Sequence, residues 1–151
     1  MRNLIIAILC VGPVLLGYAL ARTVEDASPM PESLKNARSV YLTSPSGDEF
    51  GMFPMPEDKE ALIATRKVIT DAHRLKFVFD PNQADMIVVV SGRASRDTIK
   101  VFDGRDRKTY LWHLSGKNGL QGEGAALARL FESEFEKATL EEGTRQTNSG
   151  H

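Results

Sequence analysis

Cysteine is nearly absent from this 151-residue chain: the single one, Cys10, falls within the first 21 residues. If that segment is removed, the remainder can form no internal disulfide and no thiolate metal site, and packing alone has to stabilise it. Histidine is scarce too, with three residues, His73, His113 and His151. His73 reads as a solvated cation at a helix end. The positions two residues from His113 are Leu111 and Ser115, which make no metal pair with it, and His151 belongs to the polar end of the chain. No G-x-S-x-G elbow occurs, and Ser46, Ser91 and Ser115 sit in loop or strand-end contexts. Asp103 and Asp106 are explained by a tight charged turn rather than by acid and base work. No catalytic residue, cofactor or metal is therefore expected. Charge of one sign is lacking as well: 19 basic residues face 20 acidic ones, which gives no reason to expect a polyanionic partner.

Long apolar runs are confined to the beginning. Arg2 precedes the run from Leu4 to Leu16, and Ala19, Leu20 and Ala21 place small residues where a signal peptidase reads them. Residues 1–21 read as a cleaved secretory signal, with Arg22 the first mature residue. An uncleaved anchor from Asn3 to Leu20 is the rival reading, weakened by Gly12, Pro13 and Gly17. A lipoprotein signal centred on Cys10 lacks the small residue needed before it, since Leu9 stands there. The expected location is the periplasm or the exterior, with no stable membrane insertion after cleavage, and export argues against nucleic acid as a partner.

What is present in quantity is alternation and helical period. Residues 22–34 carry two prolines and no apolar period, and read as a linker. A single domain is expected over 35–141, with 142–151 a disordered tail. Met86 to Val90 is an unbroken apolar run with the character of a central strand covered on both faces. Further strands are expected at 39–43, 76–80, 97–102 and 109–114, the last with Tyr110, Trp112 and Leu114 facing the core. Helices are expected at 57–75, where Leu62, Thr65, Ile69 and Ala72 share a face, and at 121–140, where Leu127, Leu130, Phe131, Phe135 and Ala138 form the apolar stripe. In the first helix Glu57, Asp58 and Glu60 lie in the opening turn and His73 and Arg74 in the closing one, as the dipole favours. The order β, α, β, β, β, β, α implies an α+β two-layer sandwich: one mixed, mainly antiparallel sheet of about five strands with two helices on one face.

Three stretches are candidates for function. Residues 44–56 hold three prolines and two glycines, yet also Phe50, Met52, Phe53 and Met55, which either cap the core or form a contact patch for a partner. The loop from Ser115 to Gly124, SGKNGLQGEG, imitates an anion site at a helix start. It lacks the phosphate-loop spacing, because Leu111 and Asn118 occupy the positions that need glycine and a hydroxyl residue. A basic cluster, Arg93, Arg96, Lys100, Arg105, Arg107 and Lys108, is either a solvated rim or a surface for anionic envelope components.

The succession of an FVFD strand, a QADMIVVVSG strand that begins with Ala84 and Asp85, a VFDGRDRKTYLW hairpin carrying Asp103 and Trp112, and a closing helix resembles the amino-terminal domain of TolB and related envelope domains of the curli-secretion lipoprotein type, over about residues 39–138. The resemblance implies a non-enzymatic binding module of the bacterial envelope. It transfers no catalytic residue, and the propeller domain and lipobox found in those families are missing here. The expected function is an exported module that binds an envelope or secreted protein through a strand edge or the loop bearing Phe50, Met52, Phe53 and Met55. The alternative is an envelope enzyme or small-ligand binder using the loop from Ser115 to Gly124.

Overall fold

The computed structural model describes residues 28–48, 54–121 and 124–148. In chain order the elements are α1 (Glu32–Lys35), β1 (Ser39–Thr43), α2 (Pro56–Ala72), β2 (Lys76–Phe77), a 3-10 turn (Pro81–Gln83), β3 (Met86–Ser91), β4 (Asp97–Asp103), β5 (Trp112–Gly116) and α3 (Ala126–Asn148). The strands form one mixed sheet in the order β2-β1-β3-β4-β5. β1 is parallel to both β2 and β3, whereas β3, β4 and β5 are antiparallel and carry the longer ladders. Parallel pairing of β1 with β2 needs a crossover, which α2 supplies. The α+β two-layer sandwich expected from the pattern is what forms.

Alternation decides which residues meet the helices. Val40 and Leu42 of β1, Met86, Val88 and Val90 of β3, Ile99 and Val101 of β4, and Trp112 and Leu114 of β5 are buried on one face. Onto them pack Ala61, Leu62 and Ile69 of α2 and Leu127, Phe131 and Phe135 of α3. Trp112 is 2% exposed. Its ring lies 6.0 Å from that of Phe131, and its Nε1 donates to the Ser28 carbonyl. That bond and the burial of Met30 and Leu34 make residues 28–34 part of the core, although their prolines suggest a linker.

Several boundaries move for identifiable reasons. β3 is central as expected, but helices cover only one of its faces; Ile87 and Val89 lie on the other. β2 stops at Phe77, and Phe79 is exposed. β5 starts at Trp112, so Tyr110 is not inward with it. The Tyr110 ring instead meets Phe102 at 6.3 Å and His113 at 5.2 Å on the helix-free face. α2 ends before His73, which closes it in the left-handed conformation (φ 55°), so no basic residue occupies its last turn. α3 begins at Ala126 rather than 121 and continues through Asn148, past the expected end at 140 and into the stretch read as a tail. The first 27 residues, with the expected signal, lie outside the described residues.

Ala84, Asp85 and Gly104 lock the sheet's start. The Asp85 carboxylate accepts from the amides of Arg38 and Ser39, both at 2.9 Å, and from Ser39 Oγ at 2.8 Å. The Arg38 amide above all, with the Ser39 bonds and the charge of Arg105, holds that carboxyl below its usual range. Gly104 donates to the Asp85 carbonyl at 2.9 Å. A Cβ on Gly104 would fall 1.7 Å from the Ala84 carbonyl oxygen, so glycine is required here by space.

Candidate binding surfaces

The described ends of the loop at 44–56 are pinned to each other and to α2. Ser44 and Gly47 exchange backbone bonds at 2.8 and 3.0 Å, a turn that needs the positive φ of Gly47, 117°. Ser46 Oγ donates to Asp58 at 2.7 Å and accepts from the Met55 amide at 3.2 Å. Met55 is half exposed, with its sulfur 3.1 Å from the Arg93 guanidinium. Phe50, Met52 and Phe53 lie outside the described residues.

Asp58 lies in the first turn of α2 as expected, and it is completely buried. Besides Ser46 it accepts from the Gly92 amide at 3.1 Å and lies 3.5 Å from Arg93 Nη2. Asp97 is likewise buried, accepting from the Arg93 amide at 3.1 Å and from the Leu120 amide at 2.8 Å. These two carboxylates tie the loop before α2, the β3–β4 connection and the segment before α3 into one polar network. Only the solvent-like spacing of charge was visible in the sequence, and nothing in it marks either residue as buried.

The same network answers the anion-site alternative. Leu120 is fully buried, the Gly119 carbonyl accepts from the Leu127 amide at 2.8 Å, and Asp97 already occupies the Leu120 amide. A carboxylate in that place repels an anion. Ser115 and Gly116 belong to β5 rather than to a loop, and Gly122 and Glu123 lie outside the described residues. The segment is thus an anchored connection over the part that is described.

The basic cluster divides. Arg93 faces Asp58, Arg105 acts on Asp85, Arg107 donates to Asn82 Oδ1 at 2.7 Å, and Lys100 stands over the Tyr110 ring, 5.5 Å from its centroid. Asp103 and Asp106 accept from the amides of Arg105 and Lys108, as a charged turn requires. Among the described residues no group of three or more His, Cys, Asp or Glu is arranged to hold a metal ion.

Two concavities flank Tyr41. One, of about 390 Å³, is lined by Tyr41, Leu42, Asp48, Arg66, Val78 and Phe79, where β2 ends and β1 continues. The other, of about 250 Å³, lies on the helix-free face between Tyr41, Pro81, Ile87, Val89, Phe102 and Arg107. Burial and the neighbouring Asp48 charge raise the Tyr41 phenol, which stays neutral. Neither concavity gathers an ordered base beside a nucleophile.

Fold and surfaces define a small α+β two-layer module with one sheet face that neither α2 nor α3 covers. No family model matches the chain, and no curated protein matches it. Among solved structures it is similar to the PelC dodecamer from Paraburkholderia phytofirmans, with 9% identity and a TM-score of 0.42 over 71% of this chain and 89% of that one. A second PelC dodecamer structure from the same organism gives 7% identity and a TM-score of 0.37 over 70% and 87%. Similarity of this size carries nothing about assembly or activity. No helix among the described residues is long and apolar enough to cross a membrane.

Proposed function

We propose that the chain is an exported, non-enzymatic module that binds another protein of the bacterial cell envelope, in the periplasm or outside the cell. The observation that carries this reading is the one-sided layering of the sheet. Both long helices cover one face, while the other presents Tyr41, Val89, Phe102 and the exposed Tyr110 with neither α2 nor α3 upon it, only the 3-10 turn at Pro81 and the β4–β5 connection at its margin. An apolar and aromatic face left bare on a monomer is a protein-contact feature. The start of the chain, with its signal-like run, supports export, and the resemblance to the TolB amino-terminal domain implies the same class of role. Nothing in the anchored connection around Leu120 favours the enzyme or small-ligand alternative.

The test is a crosslinking pull-down of the exported protein from its own envelope. A discrete protein should be recovered in amounts comparable to the bait, and recovery of the bait alone at every crosslinker length would sink the reading. Replacing Phe50, Met52, Phe53 and Met55 together with Ser separates surfaces: capture that survives assigns contact to the sheet, and capture that is lost with unchanged melting assigns it to the loop.

A further inference from the structure

The bare face arranges its residues in register. Tyr41, Ile87 and Phe102 are cross-strand neighbours in one row, and Thr43, Val89, Lys100 and His113 in the next. Ile87 and Val89 form the floor of the slot of about 250 Å³, Tyr41 and Phe102 flank it, and Pro81 and Arg107 complete it. A floor of branched aliphatic side chains offers no hydrogen bond to a sugar hydroxyl, so it suits an apolar side chain.

Two cations stand beside that floor without an ion-pair partner among the described residues. The one partner shown for Arg107 is the neutral Asn82 Oδ1, and for Lys100 the Tyr110 ring. Neither has a carboxylate within ion-pair distance among the described residues, whereas Lys67, Arg74, Arg93 and Lys137 each do. A cation oriented by a neutral acceptor or a ring can take an incoming carboxylate without first breaking an ion pair, and the bond gained is charge-assisted.

We infer that this face docks an extended acidic segment of the partner protein, with an apolar side chain in the slot and flanking Asp or Glu carboxylates on Arg107 and Lys100. The inference rests on the binding-module reading above and adds the surface and the chemistry of the segment it takes.

The probe is the synthetic peptide acetyl-Glu-Val-Asp-Phe-Glu-Val-amide, with its Gln/Asn counterpart as control, titrated into the isotope-labelled exported chain and followed by NMR. The expected result is amide shifts at Ile87, Val89 and Phe102, with the acidic peptide bound about tenfold tighter than the neutral one. The Lys100→Gln, Arg107→Gln double variant should reduce that preference below about twofold and leave the melting temperature unchanged, because both side chains are exposed. Equal affinity of the two peptides, shifts elsewhere, no response at millimolar peptide, or a preference that survives the double variant would overturn the inference. So would a polyuronate oligosaccharide that produces the same shifts more tightly than the peptide. The envelope pull-down reads the other level: a captured protein without a peptide response removes this surface and leaves the module reading, and the absence of any captured protein removes the module reading whatever the peptide does.

Discussion

Glu132 offers a quantitative test of how α2 and α3 meet. Helical spacing placed it outside the apolar stripe of α3, yet it is 9% exposed, and neither carboxylate oxygen has a hydrogen-bond partner. Arg74 Nε lies 3.7 Å from Oε1, but that guanidinium also holds Glu136. Asp71 and Arg129 line the same depression between the helices. Burial pushes the Glu132 carboxyl up from 4.5 to about 7; the Arg74 charge opposes this, and Glu136 adds to it. A folded-state value above the unfolded one means the native protein binds the extra proton. The stabilising contribution is complete below about pH 4.5 and is lost as pH rises through 7. At 1.36 kcal/mol per unit, the ionised residue costs about 3 kcal/mol at pH 8. Glu132→Gln keeps the volume and removes the charge. Urea unfolding should show the variant more stable than the parent by about 1–3 kcal/mol at pH 8, with the gap closing to within about 0.5 kcal/mol at pH 4.5. Taking the difference from the parent cancels groups such as Asp85, whose lowered value works in the opposite sense and at lower pH. A gap that is the same at both pH values would refute the argument, since it would mean that Glu132 is already ionised and compensated.

Trp112→Ala should cost about 3–5 kcal/mol by the same urea assay, because a large buried ring is removed from Phe131 and the Ser28 carbonyl; a variant that melts with the parent would contradict its inward face. Asp97→Ala strands the Arg93 and Leu120 amides and should destabilise by about 2–4 kcal/mol, and Asp97→Asn, which keeps one accepting oxygen, by about half as much; equal losses would show that the two amides do not depend on two oxygens. Gly104→Ala forces a methyl into the Ala84 carbonyl and should lower stability by about 2 kcal/mol or more, whereas an unchanged midpoint would mean that the β3 start yields freely.

Helices, strands and layering could be read from neighbouring residues, because the alternation of Ile99 and Val101 or the spacing of Leu127, Phe131 and Phe135 records directly which side of an element meets the core. The meander from β3 to β5 and the inward Trp112 follow from the same local rule. The run from Met86 to Val90 shows the limit of that rule. Period alone cannot tell a face covered by helices from one lined by Tyr41, Phe102 and Arg107 across a slot, and that difference created the candidate surface. Asp58, Asp97 and Glu132 were invisible for a related reason. Their burial depends on partners far along the chain, Gly92 for Asp58 and Leu120 for Asp97, and on the approach of α2 to α3 for Glu132. The sequence by itself determined the main strands and helices, the two-layer class and most of the core they share, since these rest on contacts each segment encodes in its own pattern, whereas Met30 and Leu34 join the core and Tyr110 leaves it only through tertiary contacts. Only the tertiary structure decided which charges are buried, which cations lie without a carboxylate among the described residues and which sheet face neither α2 nor α3 covers, because those properties belong to pairs of segments brought together and to neither segment alone.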